Sequence, residues 1–336
     1  MPRKARIDAP GALHHIIVRG IERRKIFYDD SDRDNFVERL GNILSETETP
    51  CFAWALIPNH FHLLLRTGLT PIATVMQRLL TGYAVSFNRR HRRHGQLFQN
   101  RYKSILCQED SYLLELVRYI HLNPLRAKIV EEMKALDKYR YSGHSILMGK
   151  VGHPWQETNC ILKLFHAKQL KARRQYREFV VKGIADGRRH DLTGGGLVRS
   201  AGGWAVVKTM RRSKSRIKGD ERILGDGDFV ERVLKAAQEK LERKYELKSQ
   251  EYSFERLVAR VAELFDIPND ELLSGGKYHK TVQARSVVCF WGRRELGIST
   301  VELSKKLNIS QPTASQSVMR GKKIVQERML SLFEKQ

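Results

Sequence analysis

The stretch Cys51-Phe52-Ala53-Trp54-Ala55-Leu56-Ile57-Pro58-Asn59-His60-Phe61-His62-Leu63-Leu64-Leu65-Arg66 decides the fold. Two apolar runs flank Pro58-Asn59, a turn dipeptide, so the segment reads as two strands, Cys51 to Ile57 and His60 to Arg66. Alternate residues of a strand share a face, so both imidazoles point one way and Phe61 the other. Two imidazoles on one face can converge on one cation.

Working outward, Ala12 to Arg19 is β-rich, and Ser31 with Asp34 three residues on marks a helix start. Phe36, Val37, Leu40, Ile43 and Leu44 give that helix an apolar face. Thr70-Pro71 reads as an N-cap and first-turn pair opening a helix to about Arg90. Arg101 to Leu106 reads as another strand, after which Asp110 caps a helix carrying Leu113, Leu116, Val117 and Ile120. The order β-α-β-β-α-β-α predicts an α+β domain over residues 1–148, a ferredoxin-like antiparallel sheet with packed helices. Residues 149–226 read as a linker or extension, with Gly194-Gly195-Gly196, Gly202-Gly203 and a basic run from Arg211 to Lys218. A linker with small helical pieces and a binding role both fit them, but no Gly-Lys-Ser/Thr follows the glycines, so they form no P-loop. Residues 227–336 read as an all-α domain ending in a helix-turn-helix. There Ser299-Thr300-Val301-Glu302 is a capping box, Val301, Leu303 and Leu307 can pack inward, and Gln311-Pro312 opens the second helix.

A chain of 336 residues can bury two cores. Lys and Arg number 61 against 37 Asp and Glu, a formal charge of +24. That excess points to a polyanion, with nucleic acid first. No apolar run reaches the length of about 18 residues that a membrane span needs, and Met1 to Arg6 lacks the apolar core of a signal peptide. The four cysteines are scattered with no CxxC pair, which suits a reducing compartment, the cytoplasm.

Attack on a phosphodiester brings an anionic nucleophile to an anionic phosphate, and a bound cation lowers that repulsion. His60 and His62 are candidate ligands. Tyr119 and Asn123, four apart on the predicted helix, share a face and can approach the same cation, the amide as a third ligand and the phenol as nucleophile. A free phenol ionises near a pKa of about 10, and a neighbouring cation favours the phenolate. Phosphotyrosine would conserve bond energy for rejoining, so no ATP is needed. The plainer readings stay open: Tyr119 as an aromatic packed on the sheet, the histidines as a half-buried alternation, and Asn123 as a helix end before Pro124. Imidazole favours zinc and later transition metals, whereas phosphate chemistry commonly uses magnesium or manganese. The expected cofactor is therefore a divalent metal, Mg or Mn.

His60-Phe61-His62, preceded by Ile57-Pro58-Asn59, resembles the HUH motif of single-tyrosine transposases. Tyr119-Ile120-His121-Leu122-Asn123-Pro124-Leu125-Arg126-Ala127 resembles their nucleophile helix. His14-His15 with Arg19-Gly20, and Gly95-Gln96-Leu97-Phe98-Gln99-Asn100-Arg101-Tyr102-Lys103, are similar to the branch associated with repetitive extragenic palindromes. Ile57 stands where that branch usually has methionine. The resemblance covers about residues 1–145. It implies metal-dependent nicking and joining of single-stranded or hairpin DNA through a 5′-phosphotyrosine, with Tyr119 as nucleophile and His60, His62 and Asn123 as ligands. Some relatives take the tyrosine helix from a partner subunit, so an oligomer is an open arrangement. Residues 278–333 loosely resemble the helix-turn-helix of replication initiators and the Trp repressor.

Candidate DNA contacts are Arg89, Arg90, Arg92 and Arg93 at a helix end, where cations also suit the helix dipole. Arg101 and Lys103, interleaved with Phe98 and Tyr102, suit a single strand. Gln311, Thr313, Ser315, Gln316 and Arg320 suit base edges and phosphates of duplex DNA. Two other functions compete: a DNA-binding regulator whose first domain does not cut, and a zinc hydrolase using water. The hydrolase lacks an obvious carboxylate near the histidines.

Overall fold

The computed structural model describes residues 7–8, 11–68, 70–187, 189, 192, 220, 222–249, 252–274, 276 and 278–332. Met1 to Arg6, both glycine clusters and the Arg211–Lys218 run lie outside them. The chain divides into two compact units, Met1–Ala237 and Gln238–Gln336.

In the first unit β1 (Leu13–Arg19), β2 (Cys51–Ile57), β3 (His60–Arg66), β4 (Lys103–Cys107) and β5 (Ile223–Leu224) form one sheet in the order β2-β3-β1-β4-β5. The β2–β3, β3–β1 and β1–β4 pairs are antiparallel. The expectation of an antiparallel sheet needs one correction, because β5 runs parallel to β4 and the sheet is mixed. The reason is the open edge of β4, whose amides must find acceptors. Leu106 N donates to Arg222 O at 2.7 Å and Gln108 N to Leu224 O at 2.8 Å. Two residues carry no periodicity, so this strand was not legible in advance.

Helices α1 (Asp30–Glu46) and α2 (Ile72–Arg90) cover one face. Phe36, Leu40, Val75 and Leu79 pack there on Ile16, Val18, Trp54, Phe61 and Leu63. The other face carries α3 (Glu109–His121), followed by the short α4 (Asn123–Arg126), α5 (Met133–Leu136) and α6 (Gly143–Leu147). Beyond them, α7 (Thr158–Lys163) and α8 (Gln169–Lys182) fall inside the interval read as a linker. Their Ile161, Leu162, Ala172, Tyr176 and Val180 join Leu113, Leu116, Val117 and Ile120 of α3 in a second core. Tyrosine, alanine and valine spaced four apart among many cations make a weak apolar stripe in sequence, and only the neighbouring helix shows it to be a core face.

Helix starts differ in detail from the expected ones. Asp29, not Ser31, caps α1, accepting from Asp32 N at 3.0 Å. Asp8, not Thr70, serves the first turn of α2, where its Oδ2 accepts from Ile72 N at 2.9 Å. Asp110 lies within the first turn of α3, after an N-cap at Gln108. In α1 and α2 a carboxylate thus accepts from an amide of the helix start, and in α3 it lies within the first turn, where the helix dipole favours it.

After α9 (Gly227–Ser249), the second unit holds α10 (Phe254–Leu264), α11 (Asn269–Leu273), α12 (His279–Arg294), α13 (Thr300–Lys306) and α14 (Gln311–Glu327). Ser299 Oγ accepts from Glu302 N at 3.1 Å and Ser310 Oγ from Thr313 N at 3.3 Å, so both final helices start on serine caps. Leu303 and Leu307 are buried as expected, but Val301 is exposed, since it sits two residues from Leu303 and faces away. Gly321 lets α14 meet α12 closely: a Cβ there would lie 1.9 Å from Ser286 O.

Candidate active site

The register of the sheet builds the site. On β1, Ile17 lies opposite His62 and Arg19 opposite His60, while Lys103 of β4 lies opposite Ile17. Paired residues share a face, so the two histidines, Arg19 and Lys103 gather where the α3-covered face runs out. His15, two residues before Ile17, joins them. Its Nε2 lies 2.9 Å from His62 Nδ1, with the two rings stacked at 5.2 Å.

From α3 the Tyr119 ring meets both imidazoles edge-on, 5.9 Å from His15 and 5.9 Å from His62. The His60 ring stands 5.2 Å from that of His62. His60, His62, Tyr119 and Asn123 line one cleft of about 460 Å³, with Arg19, Lys103 and the Gln99-Asn100 segment on its walls. Thus the four residues singled out in sequence come together from two distant segments.

Burial, and then the Arg19 cation, hold the His60 imidazole down at about 4. His62 is held well below its ordinary value by burial and by the neighbouring His15, His60 and Arg19. Both are neutral near pH 7. His60 Nδ1–H donates to Asn59 Oδ1 at 2.7 Å, which leaves its Nε2 lone pair available. His15 Nε2 and His62 Nδ1 share one proton across their 2.9 Å contact, and where His62 donates it the His62 Nε2 lone pair is available in the same way. Asn123 Nδ2 donates to Tyr119 O at 3.1 Å and Ile120 O at 3.3 Å, so the carbonyl oxygen is its end left for the cleft. Among the described residues no three His, Cys, Asp or Glu side chains gather for a metal. Two neutral imidazoles and an amide oxygen nevertheless form a donor set that suits a divalent cation.

The DNA-contact candidates separate. Lys103 is exposed and lines the cleft, and Arg101 is exposed on an adjoining groove with Gln99, Asn100 and Tyr102. Arg89 and Arg92 are exposed. Arg93 lies 5.8 Å from the Phe87 ring centre. Arg90 is tied to Asp29 at 2.6 Å and also pairs with Asp32; its hydrogen bond holds the Asp29 carboxyl down at about 2. It therefore serves the start of α1. In the second unit Gln311, Ser315, Gln316 and Arg320 are exposed along α14, whereas the Thr313 hydroxyl is bonded to Ser310 Oγ at 2.7 Å.

Sequence reasoning did not single out His15, Asn59 or Arg126 for the site. Arg126 stands 5.4 Å over the Tyr119 ring. The period-two run His15, Ile17, Arg19 was the available signal for the first, but it becomes meaningful only once β1 is known to pair with β3.

Residues 10–123 match the family model of IS200-like transposases. A solved structure of a REP-associated tyrosine transposase bound to a REP hairpin is similar at 14% identity and a TM-score of 0.36, covering 46% of this chain and 91% of that one. No curated protein matches the sequence. No helix among the described residues is long and apolar enough to cross a membrane. Residues 10–123, which carry the two histidines and the tyrosine of the cleft, are thus similar to the IS200-like transposases.

Proposed function

We propose that this protein nicks and rejoins single-stranded or hairpin DNA through a covalent 5′-phosphotyrosine on Tyr119. The observation that carries this reading is the Tyr119 ring packed on His62 and His15 in the cleft that His60 and Asn123 also line. Tyr119 Oη attacks phosphorus, the bond to the 3′ oxygen breaks, and a 3′ hydroxyl leaves; the reverse attack rejoins the strand. Because the phosphate stays activated on tyrosine, no ATP is required. His60, His62 and Asn123 would hold a divalent metal, Mg or Mn, which when bound supplies positive charge to the scissile phosphate. Asn59 and His15 orient the two imidazoles, and Arg19 and Lys103 draw the DNA backbone into the cleft.

The β2-β3-β1-β4 order and the α1–α3 helices support a ferredoxin-like HUH domain here. The capped α13–α14 pair, with Gln311, Ser315, Gln316 and Arg320 exposed, supports a helix-turn-helix that binds duplex DNA. The resemblance of Gly95 to Lys103 to the palindrome-associated branch nominates a hairpin with single-stranded flanks as substrate.

Incubation with an oligonucleotide labelled 3′ to the cut tests this. A labelled protein band should survive denaturation, vanish with excess EDTA and return with Mg or Mn. Release of labelled DNA with no protein-bound product would indicate water as the nucleophile. Duplex binding without cleavage would indicate a regulator.

A further inference from the structure

Helix α8 lies beyond the segment that matches the family, yet it touches the nucleophile helix on both sides of Tyr119. Tyr176 Oη lies 2.7 Å from His121 Nδ1 and 2.8 Å from His144 Nδ1. His144 Nε2 in turn lies 2.9 Å from Asp137 Oδ1, and Arg177 Nε donates to Asp137 Oδ2 at 2.8 Å. His121, His144 and Tyr176 are each 0% exposed. At the other side, Arg126 Nη2 donates to Gly183 O, the residue that ends α8, at 3.2 Å. Gly183 also backs onto Arg118, where a Cβ would lie 2.5 Å from Arg118 Cδ. Residues 118, 121 and 126, which bracket Tyr119, are thus all held by one helix.

The protons of the buried chain run in one direction. The Asp137 carboxylate can only accept, so neutral His144 carries its proton on Nε2 and offers a lone pair at Nδ1. The Tyr176 hydroxyl must then donate to His144, and His121 must donate Nδ1–H to the Tyr176 oxygen. One hydroxyl thereby fixes the last residue of α3, two positions after Tyr119 and two before Asn123. Exchange for water would not preserve the arrangement, because the ring of Tyr176 fills the core around it.

We infer that α8 is a clamp for the nucleophile, with Tyr176 as the positioning residue that sets the Tyr119 helix against the His60–His62 strand. The inference rests on Tyr119 being the nucleophile. It extends the catalytic unit to a segment outside the family match, and it makes cleavage rate depend on a hydroxyl that touches neither DNA nor metal.

Tyr176→Phe in the full chain tests the clamp, since it deletes that hydroxyl and keeps the ring. Single-turnover adduct formation should slow at least roughly tenfold, about 1.4 kcal/mol of barrier. The dissociation constant for the same oligonucleotide, measured in a Tyr119→Phe background, should stay within about twofold. Asp137→Asn should lie near wild type, because an amide can donate to His144 and the whole chain can run in reverse with no bond lost. Wild-type rate in Tyr176→Phe overturns the clamp. So does a parallel loss of rate, affinity and melting temperature, which would make Tyr176 a general core residue. If the adduct forms in wild type and persists in Tyr119→Phe, the nucleophile is another residue, and the clamp falls with that reading.

Discussion

The two faces of the sheet are built from the same strands and differ in what they are asked to bury. Towards α1 and α2, Ile16, Val18, Trp54, Phe61 and Leu63 are buried among apolar partners. Towards α3 the face starts the same way, with Leu13, Ala53, Leu64 and Ile105, and then changes at one end to His15, Arg19, His60, His62 and Lys103. Phe61 and its two neighbouring histidines are adjacent in sequence and belong to different chemistries. An apolar face holds strands together without regard to direction, whereas a site needs polar groups kept dry enough to be neutral and close enough to share a ligand. The second face achieves this at its margin, where a helix covers part of it and leaves a cleft.

Truncation after Met148 should have the largest effect, because it strips apolar cover from the α3 face alone. Such a fragment keeps His60, His62, Tyr119 and Asn123, but loses the buried Ile161, Leu162, Tyr176 and Val180 from one face only. Each such side chain stabilises by roughly 1.5–3 kcal/mol, so together they are comparable to the whole stability of a typical domain. We expect an unfolded or molten fragment by near-ultraviolet circular dichroism, with no adduct. A cooperative melt and wild-type nicking would show that α7 and α8 are dispensable.

Adjacent substitutions should separate the faces. Phe61→Ala should cost about 3–5 kcal/mol in chemical denaturation while the folded fraction keeps its cleavage chemistry. His60→Ala, His62→Ala and Tyr119→Phe should each abolish the adduct and leave oligonucleotide affinity in place. Asn123→Ala should be milder for metal binding, because water can replace a neutral oxygen. Equal stability losses on both sides of Phe61, with activity tracking stability alone, would merge the two faces into one ordinary core.

A smaller, pH-linked effect belongs to the histidine face alone. His60 is held near 4 when folded and titrates near about 6.5 when unfolded, so between those values the unfolded chain binds more protons. Its contribution is full above about pH 6.5 and is lost as pH falls towards 4. Melting temperature should decline across that window, and His60→Gln should flatten part of the decline. An unchanged slope in that variant would mean His60 titrates as a free imidazole.

The smallest expected change lies in the second unit. Deleting residues from Gly227 onward should weaken duplex binding, and Arg320→Ala should reduce the salt slope by about 0.9 in log–log terms if it meets a phosphate. Loss confined to particular sequences, costing roughly 1–3 kcal/mol, would assign Arg320 to a base edge instead. Identical affinities and slopes with and without that unit would make it a protein-interaction module.

The residues themselves determined the local devices: the alternation at His60-Phe61-His62, the four-residue spacing of Tyr119 and Asn123, and the serine cap at Ser299. These depend on strand and helix periods, which act over a few residues and can be read without knowing any partner. Tertiary structure alone decided that His15 and Arg19 lie beside the histidines, that Arg90 is spent on Asp29, and that Ile223–Leu224 completes the sheet. It also decided that α8, inside an apparent linker, holds the tyrosine helix. Each of those outcomes depends on register or packing between segments tens of residues apart. A buried hydrogen bond such as Tyr176 to His121 leaves no periodic trace in the chain that forms it.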